Sequence, residues 1–165
     1  MRYSSVNLLK DFEFHDAQME LVSYNDKKLI MNVKYLNIHN GIPQNTFDSD
    51  MEIDIAKITI DGLSVKSFEP GRAWHTGEPF GNFLYTDMPL LVFKGKEAEK
   101  KFIFEINHGI TVYELWKDDN GLYYINACGA EPWFAAQFFF DFATVEWNKY
   151  RKAAWYETFK KDNGS

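Results

Sequence analysis

Apolar and polar residues alternate along most of the chain with a period of two, which is typical of strands that bury one face. In the segment 28–36, Leu29, Met31 and Val33 fall on one face, with an asparagine and two lysines on the other. The run 18–24 precedes this segment, and an Asn-Asp pair of turn-forming residues lies between the two. The pattern therefore predicts a β-hairpin that pairs 18–24 with 28–36.

The same alternation predicts further strands at 52–60, 63–68, 101–106, 110–116, 122–127 and 137–147. Within the first of these, the apolar positions change parity after Ile55, which predicts a bulge near Ala56–Lys57. The last also fits an aromatic helix opened by Pro132, but its alternating Phe residues and its Thr, Val and Trp favour a strand. Residues 148–160 fit either a short helix or a turn and a final strand.

These elements predict one mainly β domain over residues 1–165, an antiparallel β-sandwich or open barrel with at most one or two short helices, one of them at the C-terminus. Residues 160–165 are expected to form a flexible tail. A chain of 165 residues buries roughly 70% of its extended surface on folding. With 18% aromatic residues, its core needs no metal or disulfide to support it.

Composition narrows the class of protein. Cys128 is the single cysteine, which excludes an intrachain disulfide and indicates a reducing compartment. No apolar run approaches the ~20 residues of a membrane helix, and residues 1–14 do not resemble a signal peptide. A net charge of −6 disfavours nucleic-acid binding. We expect a soluble cytoplasmic protein with no membrane or nucleic-acid partner.

His15 and Asp16 stand side by side in the stretch FEFHDAQ, a pairing also found in metal-dependent hydrolases of the HD class. Those sites project their ligands from a helical bundle, whereas this stretch is strand-like. Adjacent residues of a strand also point to opposite faces, so the pair is poorly placed to hold one ion. We therefore expect Asp16 to cap a turn and His15 to pack or hydrogen-bond at a sheet edge.

The other histidines are His39, His75 and His108, each within two residues of a glycine and hence in a turn or loop. Three histidines gathered at one end of the fold would suit a zinc ion with an open position. Their spacing does not indicate a local metal motif, so no metal or cofactor is predicted. They remain the candidate ligands if a metal is bound.

Alternating acids at Asp48, Asp50 and Glu52 resemble the start of a calcium loop. The sixth and twelfth positions are Ile53 and Thr59, where an EF-hand needs Gly and Glu, so the match fails. The run instead predicts an acidic, solvent-facing strand edge, which discourages edge-to-edge pairing. Its alternative role is to dock a protein partner with a basic surface.

The long segment 69–87 has an aromatic and basic composition that is typical of interface hot spots. The same composition suits the lining of a small-ligand pocket. A further alternative is that Trp74 and Phe83 pack into the open end of the fold and close it. Its candidate binding residues are Arg72, Trp74, His75 and Phe80. No nucleophile-elbow, zinc-protease, P-loop or dinucleotide motif occurs anywhere in the chain, so no catalytic residue is predicted.

Four short motifs occur in order along the chain: F-x-F-H-D-A at 12–17, L-x-M-x-V at 29–33, F-x-F-x-x-V-E-W-x-x-Y at 140–150 and A-W-Y-E at 154–157. In this the sequence resembles small bacterial proteins that are grouped with toxin-immunity modules. The resemblance implies a β-rich fold and neutralisation of a toxin by binding, and it supplies no catalytic residue.

The sequence therefore favours a non-enzymatic cytoplasmic binding protein of immunity type that acts by protein–protein interaction. One alternative is a small metal-dependent hydrolase that uses His15 or the loop histidines. The other is a small-molecule or carbohydrate-binding β module built around Trp74. The partner and the oligomeric state stay open.

Overall fold

The computed structural model describes residues 1–71 and 91–162. Its strands are β1 (Tyr3–Val6), β2 (Phe12–Glu13), β3 (Gln18–Asn25), β4 (Lys28–Lys34), β5 (Asn37–Ile38), β6 (Met51–Ile53), β7 (Ala56–Asp61), β8 (Ser64–Pro70), β9 (Phe93–Lys94), β10 (Ile110–Lys117), β11 (Tyr123–Cys128), β12 (Phe134–Phe139), β13 (Phe142–Trp147) and β14 (Tyr150–Ala153). Its helices are α1 (Gly95–His108), α2 (Glu157–Asp162) and a 3-10 turn at Leu9–Asp11. No helix within the described ranges is both long and apolar enough to cross a bilayer.

The strands form two sheets, and their pairings are antiparallel. Ten strands make the larger sheet in the order β1-β13-β7-β4-β3-β10-β11-β12-β8-β9, and four make the smaller one in the order β14-β6-β5-β2. Both sheets contribute to one apolar core, in which Val33 and Trp147 of the larger sheet pack with Ile38 and Ile53 of the smaller one. The predicted mainly β, antiparallel fold with a short helix is confirmed, and the described strands form no closed barrel.

The larger sheet curls on itself. β7 and β8 are the third and ninth strands of the sheet, yet only Gly62 and Leu63 join them. Gly62 has a φ of +74° and lies against the carboxylate of Asp141, so a side chain there would be strained and would clash. Asp141 itself lies in the equally short connection between β12 and β13. These two connections bring the flanks of the sheet together around the core.

The predicted hairpin is confirmed as β3 and β4, with Leu21 opposite Met31. The predicted strand at 137–147 is two strands, because the chain crosses from β12 to β13 at Phe140 and Asp141. Residues 148–160 contain both alternatives, since β14 is followed by α2. Residues 160–162 of the expected tail lie in α2, and 163–165 lie outside the described residues.

The bulge predicted near Ala56–Lys57 is wrong. Ile53 ends β6 in the smaller sheet and Ala56 begins β7 in the larger one, so the change of parity marks a change of sheet. Ile53 is fully buried, whereas Ile55 in the connection is 48% exposed. A parity shift in a sequence reports a change in the buried face, and both a bulge and a crossing between sheets produce one.

The strand predicted at 101–106 is also wrong, because these residues lie in α1. Ala98, Phe102 and Ile106 are buried and four residues apart, which is a helical spacing. In a strand, Phe104 would lie on the same face as Phe102 and Ile106. Its side chain is instead 52% exposed. The helix ends at His108, where Gly109 follows with a φ of +84°.

The helical assignment predicts unequal effects for two neighbouring phenylalanines. Phe102 stacks on Phe138 with ring centroids 5.5 Å apart, so Phe102→Ala should lower the free energy of unfolding by about 3–5 kcal/mol. Phe104→Ala should change it by less than about 1 kcal/mol, because that ring is exposed. Urea denaturation of both variants measures the two values. Equal losses would support the strand and contradict the helix.

Candidate functional site

The His15–Asp16 pair lies in a tight turn between β2 and β3. The backbone N–H of Ala17 donates to the carbonyl of Phe14 (2.9 Å), and Asp16 has a φ of +66°. Phe14 and Ala17 are both buried, so the turn is anchored on each side while its two central residues face solvent. Asp is among the few residue types that tolerate a positive φ, which explains why it occupies this position.

This turn is attached to the middle of β10. The N–H of Asp16 donates to the carbonyl of Val112, and the N–H of Val112 donates to the carbonyl of Ala17, both at 2.9 Å. His15 Nδ1 lies 2.7 Å from the carbonyl oxygen of Tyr113. A carbonyl can only accept, so this nitrogen is the donor. His15 therefore makes the hydrogen bond that the sequence predicts, but it makes it to β10, an inner strand of the larger sheet, and not at a sheet edge.

β10 changes register immediately beyond this attachment. Its pairing with β11 shifts between Val112 and Glu114, which leaves Tyr113 as the bulged residue. Bulges redirect side chains and occur often beside functional sites. Tyr113 is 43% exposed, and a side-chain hydrogen bond with Cys128 is the main cause that raises the pKa of its hydroxyl. The bulge therefore directs a neutral phenol towards solvent next to the turn.

An open groove of about 650 Å³ lies beside the bulge. We call it the aromatic groove, and it is lined by Glu13, His15, Tyr113, Glu114, Leu115, Trp116, Asn126 and Trp133. Tyr113, Trp116 and Trp133 are each more than a third exposed. Exposed large aromatic residues that share one concavity are typical of binding surfaces.

The ring of Trp116 is held in place by a neighbouring strand. It stacks on Tyr124 of β11, with centroids 3.9 Å apart and planes 2° from parallel. Tyr124 is fixed in turn by its hydroxyl, which donates to Asp118 Oδ2 (3.4 Å). Because the ring is already oriented, a ligand that binds against it loses little side-chain entropy.

Two carboxylates stand among these rings. Glu13 Oε1 accepts the backbone N–H of His15 (2.8 Å), and Glu114 Oε2 accepts from the amide of Asn126 (3.2 Å). These hydrogen bonds orient both groups without neutralising them. Neither carboxylate has a Lys, Arg or His nitrogen within 4.0 Å in the part of the chain that the structure describes. The groove thus holds two carboxylates that no described cationic side chain pairs with.

The acidic run predicted to form an exposed docking edge is mostly buried, which corrects that expectation. Asp50 is 5% exposed and Glu52 is 3% exposed, and only Asp48 faces solvent. Glu52 forms ion pairs with Arg151 (3.1 Å) and Lys152 (3.6 Å) of β14. Buried carboxylates need such partners, so Glu52 fastens β14 to β6 and is not a surface for a partner.

Asp50, which immediately precedes β6, has a similar structural role. Its Oδ1 accepts the backbone N–H of Asn40 (2.7 Å), and its Oδ2 accepts the hydroxyl of Tyr156 (2.9 Å). His39 Nδ1 lies 3.2 Å from the same Oδ2. Burial and the hydrogen bond to Asp50 raise the pKa of Tyr156 above its ordinary value. Asp50 therefore joins β6 to the C-terminal segment.

The candidate metal ligands are not brought together where the structure describes them. His39 contacts Asp50 beside the smaller sheet. His108 ends α1, where its ring lies tilted against Phe104 and its Nδ1 is 2.9 Å from the carbonyl oxygen of Phe104. Within residues 1–71 and 91–162, no three His, Cys, Asp or Glu residues form a group able to hold an ion. The predicted site residues Arg72, Trp74, His75 and Phe80 lie outside the described residues.

The groove residues other than His15 were not among the sequence-based candidates. They come from separate segments of the chain, and only the attachment of the turn to β10 places Glu13 beside Glu114. One signal was available in ITVYELW, where the apolar alternation of Ile110 and Val112 shifts to Leu115. That shift is the bulge at Tyr113.

Comparison with known proteins gives this chain no relative: no family model, no curated protein and no solved structure matches it. The resemblance to toxin-immunity modules therefore stays a prediction.

The positive φ of Asp16 predicts a clear order of stability among variants. Asp16→Gly should leave the melting temperature unchanged or slightly higher, because glycine adopts a positive φ without steric cost. Asp16→Val should lower the free energy of unfolding by about 1–2 kcal/mol, because the left-handed region is unfavourable for a side chain. Thermal and urea denaturation give both values. A Val variant as stable as the Gly variant would contradict this account of the turn.

Proposed function

We propose that this chain is a non-enzymatic, cytoplasmic binding protein of immunity type, which captures a protein partner by holding a basic side chain in the aromatic groove. The observation that supports the proposal is the pair of carboxylates, Glu13 and Glu114, which lack a cationic partner among the described residues and lie beside exposed rings.

Rings and carboxylates together favour a cation. The face of an aromatic ring attracts Lys or Arg, most strongly for Trp, and the attraction grows when the site is partly desolvated. A carboxylate adds a charge-assisted hydrogen bond, which for Arg can be bidentate. Trp116 and Trp133 supply the faces, and Glu13 and Glu114 supply the acceptors. The free oxygens of these two groups are Glu13 Oε2 and Glu114 Oε1, since the others accept intramolecular bonds.

The shape of the groove favours a protein partner over a small molecule. It is wide and open, whereas small-ligand sites enclose most of their ligand. The exposed ring of Trp155 lies 6.2 Å from the ring of His15, so aromatic surface continues beyond the groove. A net charge of −6 adds long-range attraction for a basic partner. We therefore propose the groove, and not the run at 48–52, as the acidic surface that a basic partner meets.

Affinity capture with groove variants tests the proposal. The full chain, immobilised and exposed to lysate of the source cell, should retain a basic protein identified by mass spectrometry. Glu13→Gln with Glu114→Gln should weaken that complex by about tenfold or more, because two charge-assisted contacts are lost. Calorimetry with the identified partner measures the change. Binding should also weaken as salt is raised.

A charge-matched control separates a specific groove from general acidity. Glu97→Gln with Asp119→Asn removes the same formal charge from exposed positions outside the groove, and its affinity should match that of the unmodified chain. If both pairs of substitutions weaken the complex equally, the loss of affinity comes from the change in net charge and not from the groove. A partner that binds the Gln variants unchanged would show that the groove is not the interface.

A further inference from the structure

A second concavity adjoins the aromatic groove at Leu115 and Trp116. Its volume is about 350 Å³, within the range of small-ligand sites. We call it the lysine pocket, and it is lined by Asn7, Leu9, Lys10, Phe12, Phe14, Leu115, Trp116, Lys117 and Tyr123. The 3-10 turn and β2 form one wall, and the end of β10 forms the other.

The floor of the lysine pocket is apolar and belongs to the core. Leu9, Phe12, Phe14 and Tyr123 are each at most 9% exposed, so their positions are fixed by packing. The exposed indole of Trp116 adds a flat side wall, held by its stack on Tyr124. A ligand that enters would therefore place an apolar body against rigid rings, and the burial of that body would favour binding.

The rim of the lysine pocket is cationic. Lys10 and Lys117 both line it, and none of the described residues that line it is acidic. Among the described residues, neither ammonium has a carboxylate within 4.0 Å. Asp118 follows Lys117 in the chain, but its Oδ1 accepts the backbone N–H groups of Asn120 and Leu122 in the β10–β11 turn. Two positive charges thus border an apolar floor without a counter-charge among the described residues, and the Lys117 ammonium lies 5.5 Å from the centroid of the Tyr123 ring.

Asn7 gives the rim a further polar group in a fixed position. Its Oδ1 accepts the backbone N–H of Ala143 (2.7 Å), and its own N–H donates to the carbonyl of Ala143 (2.8 Å). Asn7 also has a φ of +56°, a conformation that Asn tolerates. Because the oxygen is engaged, the NH₂ group is the part of this side chain that is left to donate to a ligand.

We infer that the lysine pocket binds a small organic anion, in which an aromatic or acyl body rests on the apolar floor and a carboxylate or similar group meets Lys10 and Lys117. This ligand class lies outside the proposed protein-binding function, and the inference does not depend on it. The two sites adjoin at Leu115 and Trp116, but their charges are opposite and their ligands differ.

Isothermal titration calorimetry with naphthalene-1-carboxylate tests the inference. The neutral alcohol naphthalen-1-ylmethanol is the matched probe, since it keeps the rings and removes the charge. The carboxylate should bind the full chain at least about tenfold more tightly than the alcohol, because charge-assisted contacts are stronger than neutral ones. Equal affinities, or no heat from either probe, would overturn the inference.

Variants assign the binding to this pocket. Lys10→Gln with Lys117→Gln should remove the preference for the carboxylate, while Lys100→Gln, an exposed lysine of α1 outside the pocket, should retain it. Unchanged melting temperatures would show that the variants are folded. A preference that survives in the Lys10/Lys117 variant would overturn the assignment. Glu13→Gln with Glu114→Gln should leave carboxylate binding intact, so failure of this inference and failure of the proposed function are distinguishable.

Discussion

The attachment of the Phe14–Ala17 turn to Val112 is the contact on which the candidate site depends. It occupies both the N–H and the carbonyl of Val112, so β3 pairs with β10 only at the start of that strand. Beyond Val112, the segment that precedes the turn lies across the end of β10. The bulge in β10 turns Tyr113 outward. The aromatic groove and the lysine pocket both lie between these two segments. A buried Phe and a buried Ala hold the turn in place.

Net charge alone does not locate a binding surface in this protein. Its most prominent acidic run contributes Asp50 and Glu52 to the interior, where they fasten the C-terminal segment to the smaller sheet. Acidic side chains that are already paired cannot also attract a partner at full strength. Among the described residues, Glu13 and Glu114 in the groove and Lys10 and Lys117 in the pocket have no ion-pair partner within 4.0 Å. Trp116 borders both sites.

Much of the strand content was predictable from the sequence, because a period of two is a direct consequence of a sheet with one buried face. The prediction failed where the same sequence pattern fits two different local structures. The segment around Phe102 alternates like a strand although it is a helix, and the parity change before Ala56 is a crossing between sheets. The HD corner was predictable from local chemistry. The groove was not, because Glu13 and Glu114 meet only through pairing between distant segments.

The most direct test of the account is whether the aromatic groove recognises a cationic side chain. Protein NMR can follow the indole N–H signals of Trp116 and Trp133, assigned with Trp→Phe variants, during titration with an acetylated Gly-Arg-Gly amide. The matched peptide carries citrulline, which is nearly isosteric with arginine and uncharged. The account predicts that both signals shift with the arginine peptide, and that the shifts are lost with citrulline and in the Glu13→Gln/Glu114→Gln variant. Equal shifts with both peptides, or none with either, would contradict it.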